Sequence, residues 1–181
     1  CLKKKYYLMK LKKYFFKKVK STNDTALRLI NLGITNGIIL AESQSKGRGQ
    51  RNNKWISKKG NLFATVFFII SEKLSLSKII NLNILIIKSI IKKKVKSSIT
   101  IKKPNDILIN KRKVCGILQE TIFKNKKKFL IVGIGINLEN SPKIINYKTT
   151  FLNNYSKKKI LKISLFNEIK LNYERNIKNF I

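Results

Sequence analysis

Residues 106–138, DILINKRKVCGILQETIFKNKKKFLIVGIGINL, decide the fold class. Asp106–Asn110, Lys113–Phe123 and Phe129–Leu138 are β-like runs rich in Ile, Val, Leu and Phe, separated by Lys/Asn turns. Such spacing predicts an antiparallel meander. Upstream, Ile99–Lys102 reads as a short strand ended by Pro104, and Leu62–Ile70 is a continuous apolar run that suits a buried strand. Gly37–Glu42 is a further strand, and Ser43–Asn61 is a long polar loop with little periodicity. Three helices complete the pattern. Ser21-Thr22-Asn23-Asp24 offers N-cap side chains before Ala26, Leu27, Leu29, Ile30 and Leu32, with Gly33 closing the segment. Leu76–Val95 has helical spacing with a polar face, and Lys162–Phe180 places Ile163, Phe166, Ile169, Tyr173, Ile177 and Phe180 on or near one side. No internal repeat is visible. The expectation is an α/β chain of the α+β type: a mixed, largely antiparallel sheet flanked by helices over residues 21–181, with a basic N-terminal extension and first strand over 1–20.

The 181 residues are 43% hydrophobic, enough to bury a core. No apolar run approaches the roughly 18–20 residues of a membrane span, and Cys1–Lys20 alternates lysines with aromatics rather than forming a signal peptide. Cys1 and Cys115 form no metal-type or redox pair and the chain has no His, so no protein-held metal site is expected and a reducing cytoplasm is the default. Because Met9 is the only methionine, residues 1–8 raise the question of a non-native extension.

The formal net charge is +33, from 41 Lys plus Arg against 8 Asp plus Glu. Only five of those cations are Arg, and the lysines are spread along the whole chain. A polyanion-binding surface is one reading. Compositional drift in an AT-rich genome is the other, since Ile, Asn and Phe are also abundant. The bias makes residues with GC-rich codons more telling. Two of the five Arg, three of the eight Gly and the only Trp fall between Gly47 and Gly60.

That segment reads Gln44-Ser45-Lys46-Gly47-Arg48-Gly49-Gln50-Arg51-Asn52-Asn53-Lys54-Trp55. Flanking glycines let a backbone approach an anion, and Arg supplies a planar fork of donors. Taken alone, Gly-Arg-Gly equally describes a solvated loop. In Lys102-Lys103-Pro104-Asn105-Asp106, Pro104 pushes Lys103 out of helical geometry and leaves Lys102 at a strand end. An ammonium there can neutralise developing phosphate charge, although Asn105-Asp106 also suits a plain turn. Gly116-Ile117-Leu118-Gln119-Glu120 and Val132-Gly133-Ile134-Gly135-Ile136-Asn137 put glycines inside apolar strands. A flat ligand on Gly133 and Gly135 would explain them, and so would tight packing.

In this order, these segments resemble the biotin–protein ligase family. The matching pieces are Ser21-Thr22-Asn23, Gln44 with Gly47-Arg48-Gly49, Trp55, Lys102-Lys103-Pro104-Asn105-Asp106, Gly116-Ile117-Leu118-Gln119-Glu120 and Gly133-Ile134-Gly135-Ile136-Asn137, over about Ser21 to Leu138. The resemblance implies a class II aminoacyl-tRNA synthetase/biotin ligase-like fold. It also implies ATP-dependent activation of biotin and transfer to a lysine of a biotin carboxyl carrier protein, a subunit of acetyl-CoA carboxylase, with Mg²⁺ accompanying ATP. Biotin would be bound by Ser21, Thr22, Asn23, Gln44, Arg48, Gly49, Gln50, Lys102, Gly116, Gly133 and Gly135. ATP or the adenylate would meet Arg48, Arg51, Trp55, Lys102 and Asn137. Catalysis would fall to Lys102 and Arg48. A homodimer fits this picture, whereas specific DNA recognition and membrane association are not expected.

The chain also departs from the family pattern. Gln50 stands where many relatives carry Arg, and Lys103 replaces a common aromatic. Asn52 replaces a usual Gly, a place where Asn would tolerate positive φ. The stretch Ser57–Leu62 is one residue shorter. With twenty residues before Ser21 and 43 after Leu138, the expectation is a catalytic unit without a helix-turn-helix domain and without a small SH3-like C-terminal domain. Two rival readings remain: a lipoate– or octanoate–protein ligase of the same fold, and a catalytically weak relative acting as a nucleic-acid-binding module.

Overall fold

A computed structural model describes residues 9–181; Cys1 and the question of a non-native 1–8 lie outside the described residues. The elements are β1 Lys13–Val19, α1 Thr22–Asn31, β2 Gly37–Gln44, β3 Leu62–Ile69, α2 Leu76–Lys92, β4 Ile99–Lys102, β5 Asp106–Ile109, β6 Arg112–Lys124, β7 Lys127–Ile136 and α3 Lys162–Asn176. All seven strands form one sheet in the order β1-β2-β3-β7-β6-β5-β4. Only β1 and β2 run parallel; every other neighbouring pair is antiparallel. The mixed, largely antiparallel sheet expected from residues 106–138 is therefore present, and β1 is an integral part of it.

The Lys/Asn turns work through their backbone. Asn110-Lys111 (φ 47° and 61°) and Asn125-Lys126 (φ 47° and 59°) are both left-handed. Two consecutive left-handed residues make the tight hairpin whose twist matches that of the strands, and Asn tolerates the first position well.

Side chains alternate between the two faces of the sheet. On one face Ile38, Phe68, Leu130 and Val132 pack with Ile87, Ile90 and Ile91 of α2 and Leu165, Phe166 and Ile169 of α3. On the other, Ile39, Phe67, Phe129 and Ile131 pack against Ala26 and Ile30 of α1. The α1 face carries Gly133 and Gly135 on β7 directly after Phe129 and Ile131, so its apolar cover stops where the glycines begin. That gap is where the cavity forms.

Two boundaries differ from the sequence expectation. The helix predicted to reach Val95 ends at Lys92, and the last helix turns 3₁₀ over Ile177–Asn179 instead of continuing to Phe180. Ser21 occupies the cap position of α1, yet its hydroxyl makes no cap bond. The acceptor comes from β2 instead: Thr22 N–H donates to Gln44 Oε1 at 2.8 Å. Gly33, at φ 89°, closes α1 as expected.

The polar contacts within the core fix the chain's later part. Tyr173 Oη donates to Asn83 Oδ1 at 2.8 Å between α3 and α2, and Glu174 accepts the N–H of Leu11 at 2.7 Å. Asn61, fully buried before β3, accepts three backbone N–H groups, from Leu138 (2.9 Å), Glu139 (3.1 Å) and Asn140 (3.3 Å). This single carbonyl sets the direction in which the chain leaves β7. No helix among the described residues is long and apolar enough to cross a membrane.

Two outcomes are expected. Asn61→Ala, which strands those N–H groups, should cost about 2–4 kcal/mol in denaturant unfolding, and Asn61→Asp, which keeps an acceptor, should cost less. Burial pushes the Cys115 thiol far above its ordinary range, with Asp106 adding to the shift and Lys113 opposing it. Because the thiolate is the reactive form, peptide mapping after iodoacetamide at pH 8 should find Cys115 unmodified in the native chain and alkylated only once it unfolds.

Candidate active site

A cavity of about 790 Å³ opens on the α1 face of the sheet. Its floor follows from strand register. Phe63 of β3, Gly135 of β7 and Gly116 of β6 lie in one row, with Thr65, Gly133 and Leu118 in the next. Gly133 is needed because Asn23 of α1 comes down on it: a Cβ there would stand 2.4 Å from Asn23 Oδ1. Gly135 and Gly116 lie beneath the Trp55 indole, where added Cβ atoms would fall 2.4 Å and 2.8 Å from ring carbons. The glycines thus admit the protein's own Asn23 and Trp55. Of the two explanations open at the level of sequence, close packing accounts for them directly.

The helix-start wall is tied by hydrogen bonds at Thr22, Gln44 and Asn23. Thr22 donates to Gln44 Oε1 through both N–H (2.8 Å) and Oγ1 (3.1 Å), and Gln44 Nε2 donates to Ser57 Oγ at 3.1 Å. Asn23 Oδ1 accepts from Thr65 Oγ1 at 2.7 Å, while its Nδ2 donates to Glu120 Oε2 at 2.7 Å. Ser21, with no cap bond to hold its hydroxyl, lines the cavity beside them.

The Gly-Arg-Gly loop is a small folded unit. Trp55 N–H donates to Gly47 O (2.9 Å) and Gly49 N–H to Asn53 O (2.7 Å), closing a 3₁₀ turn over Gln50–Asn52. Gly47 is required here, since a Cβ would lie 2.5 Å from Trp55 O. The left-handed residue of the turn is Arg51 (φ 53°, ψ 44°), not the Asn52 to which the sequence pattern assigned it. Gly49, Gln50 and Arg51 line the cavity. Arg48 lines it too, with its guanidinium engaged: it meets Glu120 in a bidentate pair (Nη1–Oε1 2.9 Å, Nη2–Oε2 2.8 Å), and Nη2 also lies 2.9 Å from Asp24 Oδ1.

Lys102, also in the cavity lining, ends β4 with its side chain exposed, and the Lys103-Pro104 peptide is cis. Asn105 does turn work, donating from Nδ2 to Ile117 O at 3.1 Å. Asp106 pairs with Lys113 at 2.9 Å. Lys113 lies 5.5 Å from the Trp55 ring centroid and 5.2 Å from that of Tyr147, a cation–π arrangement on both sides.

Asn137 does not line the main cavity. Its Nδ2 donates to Thr150 O (3.1 Å), and its backbone ties Val114 to Leu152. With Trp55 it borders a second hollow of about 20 Å³, and both Asn137 Oδ1 and Trp55 Nε1 are buried without a partner.

Sequence reading missed Lys113, Phe63 and the segment Lys143–Tyr147, all of which line the cavity. Lys113 faces Asp106 across a hairpin whose bulge between Ile107 and Leu108 hides the pairing. Lys143–Tyr147 has no periodicity to find; it is held by backbone bonds between Lys113 and the neighbouring Lys148 and Thr150.

The chemistry follows from charge. Seven cationic side chains line the cavity (Arg48, Arg51, Lys54, Lys102, Lys103, Lys113 and Lys143) against one carboxylate, Asp106. The buried Cys115 thiol is held protonated and lies outside the cavity lining. Such a chamber suits anionic ligands and stabilisation of developing negative charge.

The profile of the biotin/lipoate A/B protein ligase family matches residues 15–137. The chain is 30% identical over 172 residues to the bifunctional ligase/repressor BirA of Bacillus spizizenii, covering 90% of this chain and 53% of that protein. It is 34% identical over 127 residues to BirA of Bacillus subtilis, covering 67% and 39%. The chain therefore spans about half the length, or less, of these relatives. Among solved structures, the biotin protein ligase of Aquifex aeolicus in complex with biotin and ATP aligns with TM-score 0.78 and 27% identity over 93% of this chain and 71% of that one. The Leishmania major biotin protein ligase in complex with biotin aligns with TM-score 0.78 and 25% identity over 90% and 72%. The family profile covers residues 15–137, most of the chain: this chain belongs to the biotin/lipoate A/B protein ligase family.

Proposed function

We propose that the chain activates biotin with ATP to biotinyl-5′-adenylate and transfers the biotinyl group to a lysine of a biotin carboxyl carrier protein, with residues 21–181 as its catalytic unit and β1 completing the sheet. The observation that carries this reading is the convergence of Ser21, Thr22, Asn23, Gln44, the Gly47-Arg48-Gly49 loop and Lys102 on one electropositive cavity. The ligand complexes of its structural neighbours support the same substrates.

The reaction brings together two anions, the biotin carboxylate and the ATP polyphosphate. They repel unless fixed cations intervene, so catalysis consists of positioning and charge stabilisation. In this reading Ser21, Thr22 and Gln44 offer hydrogen-bonding groups to the ureido ring, and Gln50 borders the space around it. Gly116, Gly133 and Gly135 act indirectly, by letting Asn23 and Trp55 lie low on the sheet. Lys102 meets the biotin carboxylate and the α-phosphate. As the carboxylate oxygen attacks the α-phosphorus and pyrophosphate leaves, the ammonium of Lys102 offsets the charge gathering there. Arg48 and Gly49 close the loop over the product, with Arg51 on the phosphate side. Closure keeps water from the mixed anhydride until the carrier lysine attacks the acyl carbon and AMP leaves. In the same reading the adenine lies on the side of Trp55 and Asn137, an assignment supported by their buried polar atoms without partners.

The donor set fits a Mg²⁺ ion carried by ATP, not one caged by the protein. Among the described residues no three His, Cys, Asp or Glu side chains cluster, and Asp106 is the one carboxylate lining the cavity. Asp106 already pairs with Lys113, so a Mg²⁺ accompanying ATP would be held mainly by the phosphates and would screen their charge.

Incubation with labelled biotin, a biotin carrier domain and ATP should label the carrier, and omission of ATP should abolish the signal. Lys102→Ala should lower biotin-dependent pyrophosphate release about 10²-fold or more while leaving the circular dichroism spectrum and melting temperature near those of the parent. Near-parental turnover in that variant would remove Lys102 from the mechanism. Thermal stabilisation by lipoate or octanoate, but not by biotin with ATP, would move the chain to the lipoate branch of the family.

A further inference from the structure

Glu120 binds two parts of the cavity wall that are far apart in sequence. Its Oε1 accepts from Arg48 Nη1, and its Oε2 accepts from both Arg48 Nη2 (2.8 Å) and Asn23 Nδ2 (2.7 Å). One carboxylate on β6 thereby links the loop to α1, and Asp24 of α1 closes the circuit onto Arg48 Nη2 at 2.9 Å. A bidentate pair reinforced by a second carboxylate holds geometry better than an isolated surface ion pair. Of the six ion pairs among the described residues, only this set reaches the Gly-Arg-Gly loop.

We infer that Glu120 is a positioning residue for biotin: it clasps Arg48 and Asn23 together, so that the Gly47–Gly49 loop and the start of α1 form one pre-set wall. The inference rests on the biotin-ligase reading. It also redefines what Arg48 contributes. Arg48, Glu120 and Asp24 together carry one net negative charge, so the trio does not attract a phosphate. Arg48 holds the loop closed, and the charge of the reacting groups falls to cations outside the trio, with Lys102 and Arg51 nearest that task. Glu120 itself touches no reacting atom in this scheme; it acts through Arg48 and Asn23.

Two measurements test the clasp. The first needs no substrate. Lys46, Arg48, Arg51 and Lys54 make the loop a trypsin target, so Glu120→Ala should speed cleavage within 46–54 about tenfold over the parent, local opening setting the rate. The second is kinetic. Glu120→Ala and Glu120→Gln should raise KM for biotin about tenfold, as expected for loss of an interaction that positions substrate, with a much smaller change in kcat. Glu120→Asp should recover part of that loss. The double variant Arg48→Ala/Glu120→Ala should be no worse than Arg48→Ala alone, because the two residues act as one unit.

If Glu120→Gln instead lowers KM for ATP, Arg48 is a phosphate ligand that Glu120 restrains, and the inference is overturned. Unchanged cleavage in a folded Glu120→Ala variant would overturn it as well. A parent chain that resists trypsin only through Glu120 yet binds no biotin would leave the clasp standing and remove the biotin reading instead.

Discussion

The contact on which the rest of the site depends is that of Asn23 on the bare backbone of Gly133. With no Cβ in the way, the Asn23 amide sits directly on β7 and reaches Thr65 on β3 and Glu120 on β6 at once. That contact sets the height of the α1 N-terminus above the sheet and so the depth of the cavity. One residue row away, Gly135 and Gly116 let Trp55 lie equally low, which pulls the loop in from the other side. A glycine inside a strand weakens it in isolation. Here the weakness is offset by wide pairing, since β7 is hydrogen-bonded along its length to β3 and β6 and buried on both faces.

Much of this was legible in the sequence, and the reasons differ by element. The β5–β7 meander showed itself because turn residues and apolar runs alternate at short range, and the structure realises the Lys/Asn turns as paired left-handed residues. α1 was readable from its cap position and from Gly33, although the acceptor that serves its first N–H belongs to Gln44, a partner 22 residues away that no local pattern reveals. The same limit hides the clasp. Glu120 stood in a recognised motif, yet its pairing with Arg48 spans 72 residues and depends on which face of β6 it occupies. Lys113 was lost for another reason: in a chain with 41 cationic residues, one more lysine carries no signal until an aspartate and two aromatic rings are found around it.

The lysine excess takes on a different meaning once the carboxylates are located. Six of the eight acidic residues, Asp24, Asp106, Glu120, Glu139, Glu168 and Glu174, sit in ion pairs. A chain with so few anions spends three of them, Asp24, Glu120 and Asp106, on two cations of the cavity. The Arg48 pairs are part-exposed and so contribute little to stability; their placement is explained better by orientation than by energy, whereas the Asp106–Lys113 pair is more enclosed. Asp106 aims Lys113 between two rings; Glu120 and Asp24 aim Arg48 along the loop.

That division assigns two kinds of work to the cavity's positive charges. Arg48 and Lys113, each already paired, hold the walls, while Lys102, Lys103, Arg51, Lys54 and Lys143 line the chamber without a carboxylate partner in any described ion pair. Guanidinium suits the first task because its planar fork can satisfy two carboxylates with fixed geometry. A strand-end ammonium suits the second, since a compact charge on a flexible stem can follow a phosphate as its bonds change. On this account Gln50, in place of the Arg that the family resemblance leads one to expect, leaves the wall one cation short but with five cations, Lys102, Lys103, Arg51, Lys54 and Lys143, that have no carboxylate partner in any described ion pair. The field that draws an anionic substrate therefore survives the change, and the pairing of Arg48 with Glu120 does not involve the side chain at position 50.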